Sequence, residues 1–216
     1  MVQNLTSNPP HYFKLYKSNI DRAPRKKFIK VTDNIIDKGI SKKFSKNFKI
    51  NNNLLVYKKN RQPLGQKIII SGRITNSLGN ILEGIIIEIW QAIASGKYRD
   101  NNDEHNAPID PNFFGYGVTK TDKLGRYKFK TILPGAYPWK NHKNAWRPRH
   151  IHFSLLDTSI FSRLCTQMYF PDDILLKFDP IYNSIPSKYR KKLISSFDNK
   201  KNIVPNYLSF KFDIVM

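Results

Sequence analysis

The sequence predicts an all-β protein: an antiparallel β-sandwich with an irregular N-terminal arm and few short helices. Three observations lead there. From residue 67 onward, short runs of β-branched and aromatic residues alternate apolar with polar positions. Clusters of Asn, Asp, Ser and Gly separate these runs as turns. Only Ser187 to Phe197 has a helical texture, with Ser187 placed to cap it. Short strands joined by turns must bury their apolar faces against one another, which a sandwich or barrel achieves.

Residues 1–66 are polar, basic and irregular; Asn51-Asn52-Asn53 reads as loop, and Pro63 with Gly65 punctuates the end. The chain therefore divides into an arm over 1–66, packing on the core or on a partner, and a β-sandwich over 67–216 that carries the chemistry. Lys67 to Thr75, with Ile68, Ile69, Ile70 and Ile74, is a strand, and Asn76 to Asn80 is a turn. Ile85 to Trp90 is the next strand, with Ile85, Ile87 and Ile89 on one face. Asp122 to Gly125 is a second turn, after which Tyr127, Phe129 and Thr131 alternate. The C-terminus repeats with a period of two through Leu208, Phe210, Phe212, Ile214 and Met216.

At 216 residues the chain is one domain with an arm, and 40% hydrophobic and 13% aromatic content is enough for a core. One cysteine, Cys165, excludes a disulfide framework and any multi-cysteine metal site, and suits a reducing cytoplasm. On its apolar run Cys165 reads as core. Met1 to Phe13 has no apolar run, so no signal peptide is expected. The most apolar stretch, Ile81 to Trp90, is broken by Glu83, Gly84 and Glu88 and is too short to span a bilayer.

A formal charge of +21 invites a nucleic-acid reading, and a basic nucleic-acid-binding β-sandwich is the rival from another class. The composition argues against it. Of the 37 basic residues 27 are Lys, beside 26 Ile and 21 Asn, and all three types have A/T-rich codons. The Lys pairs also scatter, from Lys26-Lys27 to Lys200-Lys201, where a groove binder would cluster them. A solvated, compositionally biased surface is the simpler reading, with no nucleic acid and no membrane as partner.

Gly135 to Phe153 is the most informative segment. His150 and His152 are two apart, so on a strand both imidazoles face one side and can reach one metal. Two hydrogen-bonded strand histidines would give the same pattern. No Cys, Asp or Glu lies within nine residues before His150 or four after His152, so a zinc or copper set lacks its further ligands nearby. The segment offers tyrosine and arginine instead. A phenolate is a hard anionic donor that suits Fe(III), and two neutral His, two phenolates and a hydroxide would neutralise that ion.

Two motif blocks carry a resemblance. The first runs Ile70-Ser71-Gly72-Arg73-Ile74, Gly79, Leu82, Ile87-Glu88-Ile89 and Gly96-Lys97-Tyr98. The second runs Tyr137-Pro138-Trp139, Trp146-Arg147-Pro148 and His150-Ile151-His152-Phe153. On these residues the chain resembles the intradiol ring-cleavage dioxygenases, over Tyr16 to Arg22 and from about residue 67 to the end, with 25–66 matching poorly. The resemblance implies one non-haem Fe(III) per chain, held by Tyr98, Tyr137, His150 and His152. Tyr98 matches the tyrosinate retained through the reaction and Tyr137 the axial one displaced by substrate. It further implies catalytic roles for Arg147, Tyr137 and Gln167, and substrate contacts by Tyr16, Arg22, Trp139 and Ile181. His11, His105 and His142 match no ligand position.

The same resemblance implies the activity. The expected reaction is cleavage of protocatechuate with O2 to 3-carboxy-cis,cis-muconate, a step of aromatic catabolism in the beta-ketoadipate pathway. Relatives that cleave catechol or hydroxyquinol usually carry a helical N-terminal region, and the sequence of residues 1–66 shows no long apolar helical period; action on such a catechol is the alternative. In the protocatechuate branch the iron-bearing chain pairs with a homologous alpha subunit, so an alpha-beta hetero-oligomer in the cytoplasm is expected.

Overall fold

The computed structural model describes residues 8, 49–58, 61–99, 103–138, 145–157, 162–198 and 205–216. Two sheets form a sandwich. One contains β1 (Lys67–Thr75), β4 (Arg126–Ile132), β9 (Ser196–Phe197), β10 (Tyr207–Lys211) and β11 (Ile214–Val215). The other has the order β3-β2-β7-β8, from β3 (Tyr116–Lys120), β2 (Ile86–Gln91), β7 (His150–Asp157) and β8 (Ser162–Tyr169). A two-stranded ribbon joins β5 (Tyr137–Pro138) to β6 (Trp146–Arg147).

The alternation seen in the sequence sets the faces. Ile68, Ile70 and Ile74 of β1 meet Ile87, Ile89, Ile151, Phe153 and Leu155 of the second sheet in one core. Phe153 is central, with its ring 5.4 Å from Phe212, 5.9 Å from Phe129 and 6.1 Å from Tyr127. The Tyr127 hydroxyl donates to the Phe212 carbonyl at 2.6 Å, and burial, with the charge of Asp213 second, pushes its pKa well up. Both expected turns form: the Asn76 carboxamide accepts the Leu78 and Asn80 amides, and Gly125 N–H closes on the Asp122 carbonyl at 2.9 Å.

Four features differ from the sequence reading. β1 pairs with β10 and β11 in parallel, although the rest of the two sheets is antiparallel. Leu208 is 42% exposed, because β9 covers only Phe210 and Lys211 and leaves the start of β10 at an edge. The helix expected over Ser187 to Phe197 is one turn, Ser187–Arg190, followed by a 3-10 turn, Lys191–Leu193. Its N-cap is Pro186, with no side-chain cap, so Ser187 lies inside the first turn. Beyond Leu193 the chain is captured by β8, where Ser195 N–H and Oγ both donate to the Tyr169 carbonyl, and tertiary pairing overrides helix propensity.

Residues ahead of 67 join the core as well. Asn51 and Asn53, read as loop, form bridges with Val118 and Lys130, and Leu54 and Leu55 are buried in the main cluster. Cys165 is buried, but lies opposite Ser154 and so on the outward face shared with His152, not between the sheets. Among the described residues no helix is long and apolar enough to cross a membrane.

Candidate active site

The site forms on the outward face of the second sheet. His150 and His152 project from β7 to that side while Ile151 and Phe153 enter the core. Across the ladder Trp90 pairs with His152, and the rings stack at 4.9 Å and 3°. On the other flank Gln167 lies opposite His152 and Tyr169 opposite His150. The ribbon supplies the second wall, because Tyr137 and Arg147 are register partners on β5 and β6.

Tyr98 arrives on the loop after β2. Its amide donates to Asp103 Oδ2 at 2.7 Å, and Asp103 Oδ1 takes the His105 amide at 2.8 Å, so one carboxylate clamps the loop. Gly96 permits the approach: its φ is +80°, and an added Cβ would collide with the Ala136 carbonyl, one residue before Tyr137. Gly96→Ala is therefore expected to cost about 2–5 kcal/mol from left-handed backbone plus overpacking. It should also reduce metal retention; a lower urea midpoint with a lower metal content checks this.

Four donor atoms converge. Tyr98 Oη lies 3.0 Å from His152 Nε2, and Tyr137 Oη lies 3.4 Å from His150 Nε2. The two phenol rings meet edge to face at 5.3 Å, and the two imidazoles lie 4.8 Å apart. His150 Nδ1 is 2.7 Å from the Pro148 carbonyl, which can only accept. Nδ1 therefore carries the proton, and Nε2 turns a lone pair inward. The two donor pairs, at 3.0 and 3.4 Å, are close enough for one ion to reach both members of each at ordinary bond lengths of about 2.1 Å. Two imidazoles with two phenols make an N2O2 set that fits a hard ion once the phenols ionise. Among the described residues no three His, Cys, Asp or Glu side chains come together as an alternative centre.

Arg147 is the buried cation beside this set, 1% exposed. Its Nη1 points to Tyr137 Oη at 3.4 Å, and its Nη2 donates to Gln167 Oε1 at 2.7 Å and Tyr169 Oη at 3.0 Å. Nε and Nη2 fork onto Asp179 at 3.1 Å each. Burial opposes the charge, yet Tyr137, then Asp179 and Tyr169, outweigh it and raise the arginine's pKa above its ordinary value.

The structure thus brings together Tyr98, Tyr137, Arg147, His150, His152 and Gln167. Ile181 is fully buried with Tyr169, Ile185 and Leu193, next to Asp179. Tyr16, Arg22 and Trp139, with His11 and His142, lie outside the described residues. His105 sits on the Tyr98 loop, edge-on to Trp146 at 6.0 Å. Asp179 and Tyr169 are the members that sequence reasoning missed. Their signals are weak but present: Asp179 precedes Pro180 as a helix start, and Tyr169 shares a strand face with Gln167.

Comparison with known proteins identifies the family. A dioxygenase family, described as Dioxygenase, matches residues 40–216. The chain belongs to the intradiol dioxygenase family, which uses non-haem Fe(III). It is 41% identical over 215 residues to the protocatechuate 3,4-dioxygenase beta chain of Burkholderia cepacia, covering 97% of this chain and 90% of that one. It is 28% identical to the protocatechuate 3,4-dioxygenase alpha chain of Pseudomonas putida, over 69% of this chain and 71% of that one. The fold superposes on 3-chlorocatechol 1,2-dioxygenase from Rhodococcus opacus with a TM-score of 0.60 at 23% identity, covering 78% of this chain and 65% of the other.

Proposed function

We propose that this chain is the iron-bearing beta-type chain of an enzyme that cleaves protocatechuate with O2 to 3-carboxy-cis,cis-muconate. The convergence of two imidazole nitrogens and two phenol oxygens beside one buried arginine carries the reading. The 41% identity to a protocatechuate 3,4-dioxygenase beta chain supports the substrate. Tyr98, Tyr137, His150 and His152 would hold one ferric ion. Bound there, the ion would supply Lewis acidity that activates the catechol ring toward O2.

The chain's own residues do the rest. His150 is held in one tautomer by the Pro148 carbonyl, and His152 is held by its stack on Trp90. Tyr137, once ionised, would accept at its phenolate oxygen a proton that a bound catechol hydroxyl must lose, and become a neutral phenol. Arg147 keeps a fixed positive charge beside the place where negative charge develops on the ring. Gln167 holds Arg147 through its carbonyl oxygen. Burial of Tyr137, His150, His152 and Gln167 keeps water away and strengthens these interactions. Ile181, with Trp139, Tyr16 and Arg22, would bound the substrate. The partner is a homologous alpha subunit in an alpha-beta hetero-oligomer, acting in the cytoplasm.

The test is co-expression with the alpha subunit, followed by O2 uptake and product analysis with protocatechuate, catechol and hydroxyquinol. Protocatechuate should be preferred, with one O2 consumed per muconate formed. Removing iron should abolish turnover and the tyrosinate colour, and ferric ion should restore both. Turnover without iron overturns the cofactor, and a preference for catechol or hydroxyquinol overturns the substrate.

A further inference from the structure

We infer that Asp179 is a positioning residue: it holds Arg147 with its Nη1 end toward Tyr137, and it sets turnover more than substrate affinity. This rests on the function proposed above.

Asp179 is fully buried, and each of its oxygens is met by two donors. Oδ1 accepts Arg147 Nε and the Ile181 amide, each at 3.1 Å. Oδ2 accepts Arg147 Nη2 at 3.1 Å and lies 3.2 Å from Tyr169 Oη, whose single proton it shares with Gln167 Oε1 at 3.1 Å. A two-point fork fixes the plane and rotation of a guanidinium, which a single contact cannot do. With Nε and Nη2 committed, the remaining end is the one aimed at Tyr137. The carboxylate also balances a cation that burial would otherwise oppose. Through the Ile181 amide it begins the helical turn Pro180–Asn183, so Arg147 and Ile181 share one anchor. Asp179 reaches no imidazole or phenol of the proposed metal set in its hydrogen bonds; its effect passes through Arg147.

The experiment uses the iron-loaded complex with its alpha subunit and compares Asp179→Asn, Arg147→Met and the double variant. Asp179→Asn is expected to lower kcat about 100-fold, the scale of an ångström of misplacement. KM should stay within about threefold and iron content should be unchanged. The tyrosinate absorption band of the resting protein should shift, because the Arg147 donor to Tyr137 moves. The double variant should match Arg147→Met in kcat, since Asp179 then has nothing left to position. A kcat for Asp179→Asn within twofold of the parent at full iron loading overturns the proposal, as does a further tenfold loss in the double variant. Where Asp179→Asn fails to fold, the double variant decides, because it leaves neither charge buried alone. Failure of both to fold makes the role structural and overturns positioning. A parent complex inert toward protocatechuate rejects the function instead, and the band shift still tests Asp179.

Discussion

Arg147→Met is expected to lower kcat about 100- to 1000-fold, the usual scale for removing one fixed donor aimed at developing charge. It should also destabilise the fold by about 3–5 kcal/mol, because it leaves Asp179 buried without its cation. The two effects have separate structural causes. Loss of rate comes from the Nη1 end, 3.4 Å from Tyr137, whereas loss of stability comes from the Nε and Nη2 edge on Asp179. Arg147→Lys separates them. Lysine keeps the charge but has one donor head, so it cannot fork Asp179 and reach Tyr137 together. It should recover part of the stability and little of the rate. Steady-state kinetics and urea unfolding on the three proteins check this, and a fully active Arg147→Met would remove the arginine from the chemistry.

Much of this arrangement was legible in the chain because its causes are local. Period-two alternation grouped Ile85, Ile87 and Ile89, and Tyr127 with Phe129, all of which lie in the core, and the same rule put His150 and His152 on one face. Other features were not legible, because they depend on partners distant in sequence. The parallel pairing of β1 with β10 and β11 is decided by how sheets close, not by any signal in the Ile-rich strand. Asp179, before Pro180 at a helix start, gives no sign of its partner until the fold brings it to Arg147, 32 residues away. The end of the helix at Leu193 was hidden for the same reason, since Lys and Arg favour helix while Ser195 is claimed by Tyr169. Tyr98 could be picked from eleven tyrosines only through the motif, because the clamp by Asp103 and the positive φ at Gly96 are conformational facts. The +21 charge reads as composition, and apart from Arg147 none of it bears on the convergence at His152.

His152→Ala should have the largest effect on the metal. The side chain is fully buried, its Nε2 faces Tyr98 Oη at 3.0 Å, and its ring is stacked on Trp90. Removing it deletes one of two neutral nitrogen donors and opens a cavity against Trp90, so both affinity and rigidity fall. Iron content should drop toward zero, the tyrosinate colour should vanish, and turnover should fall to background. Tyr98→Phe is the informative contrast. It keeps the ring that packs against Tyr137 and removes only the oxygen, so the fold should be nearly unaffected while the colour changes. Metal analysis, the visible spectrum and the thermal midpoint, measured together, distinguish loss of a donor from loss of structure. A His152→Ala protein that kept full iron and full colour would show that the ion is held elsewhere. The convergence on β7 would then be a hydrogen-bonded pair of histidines, the other arrangement that a His-x-His strand permits.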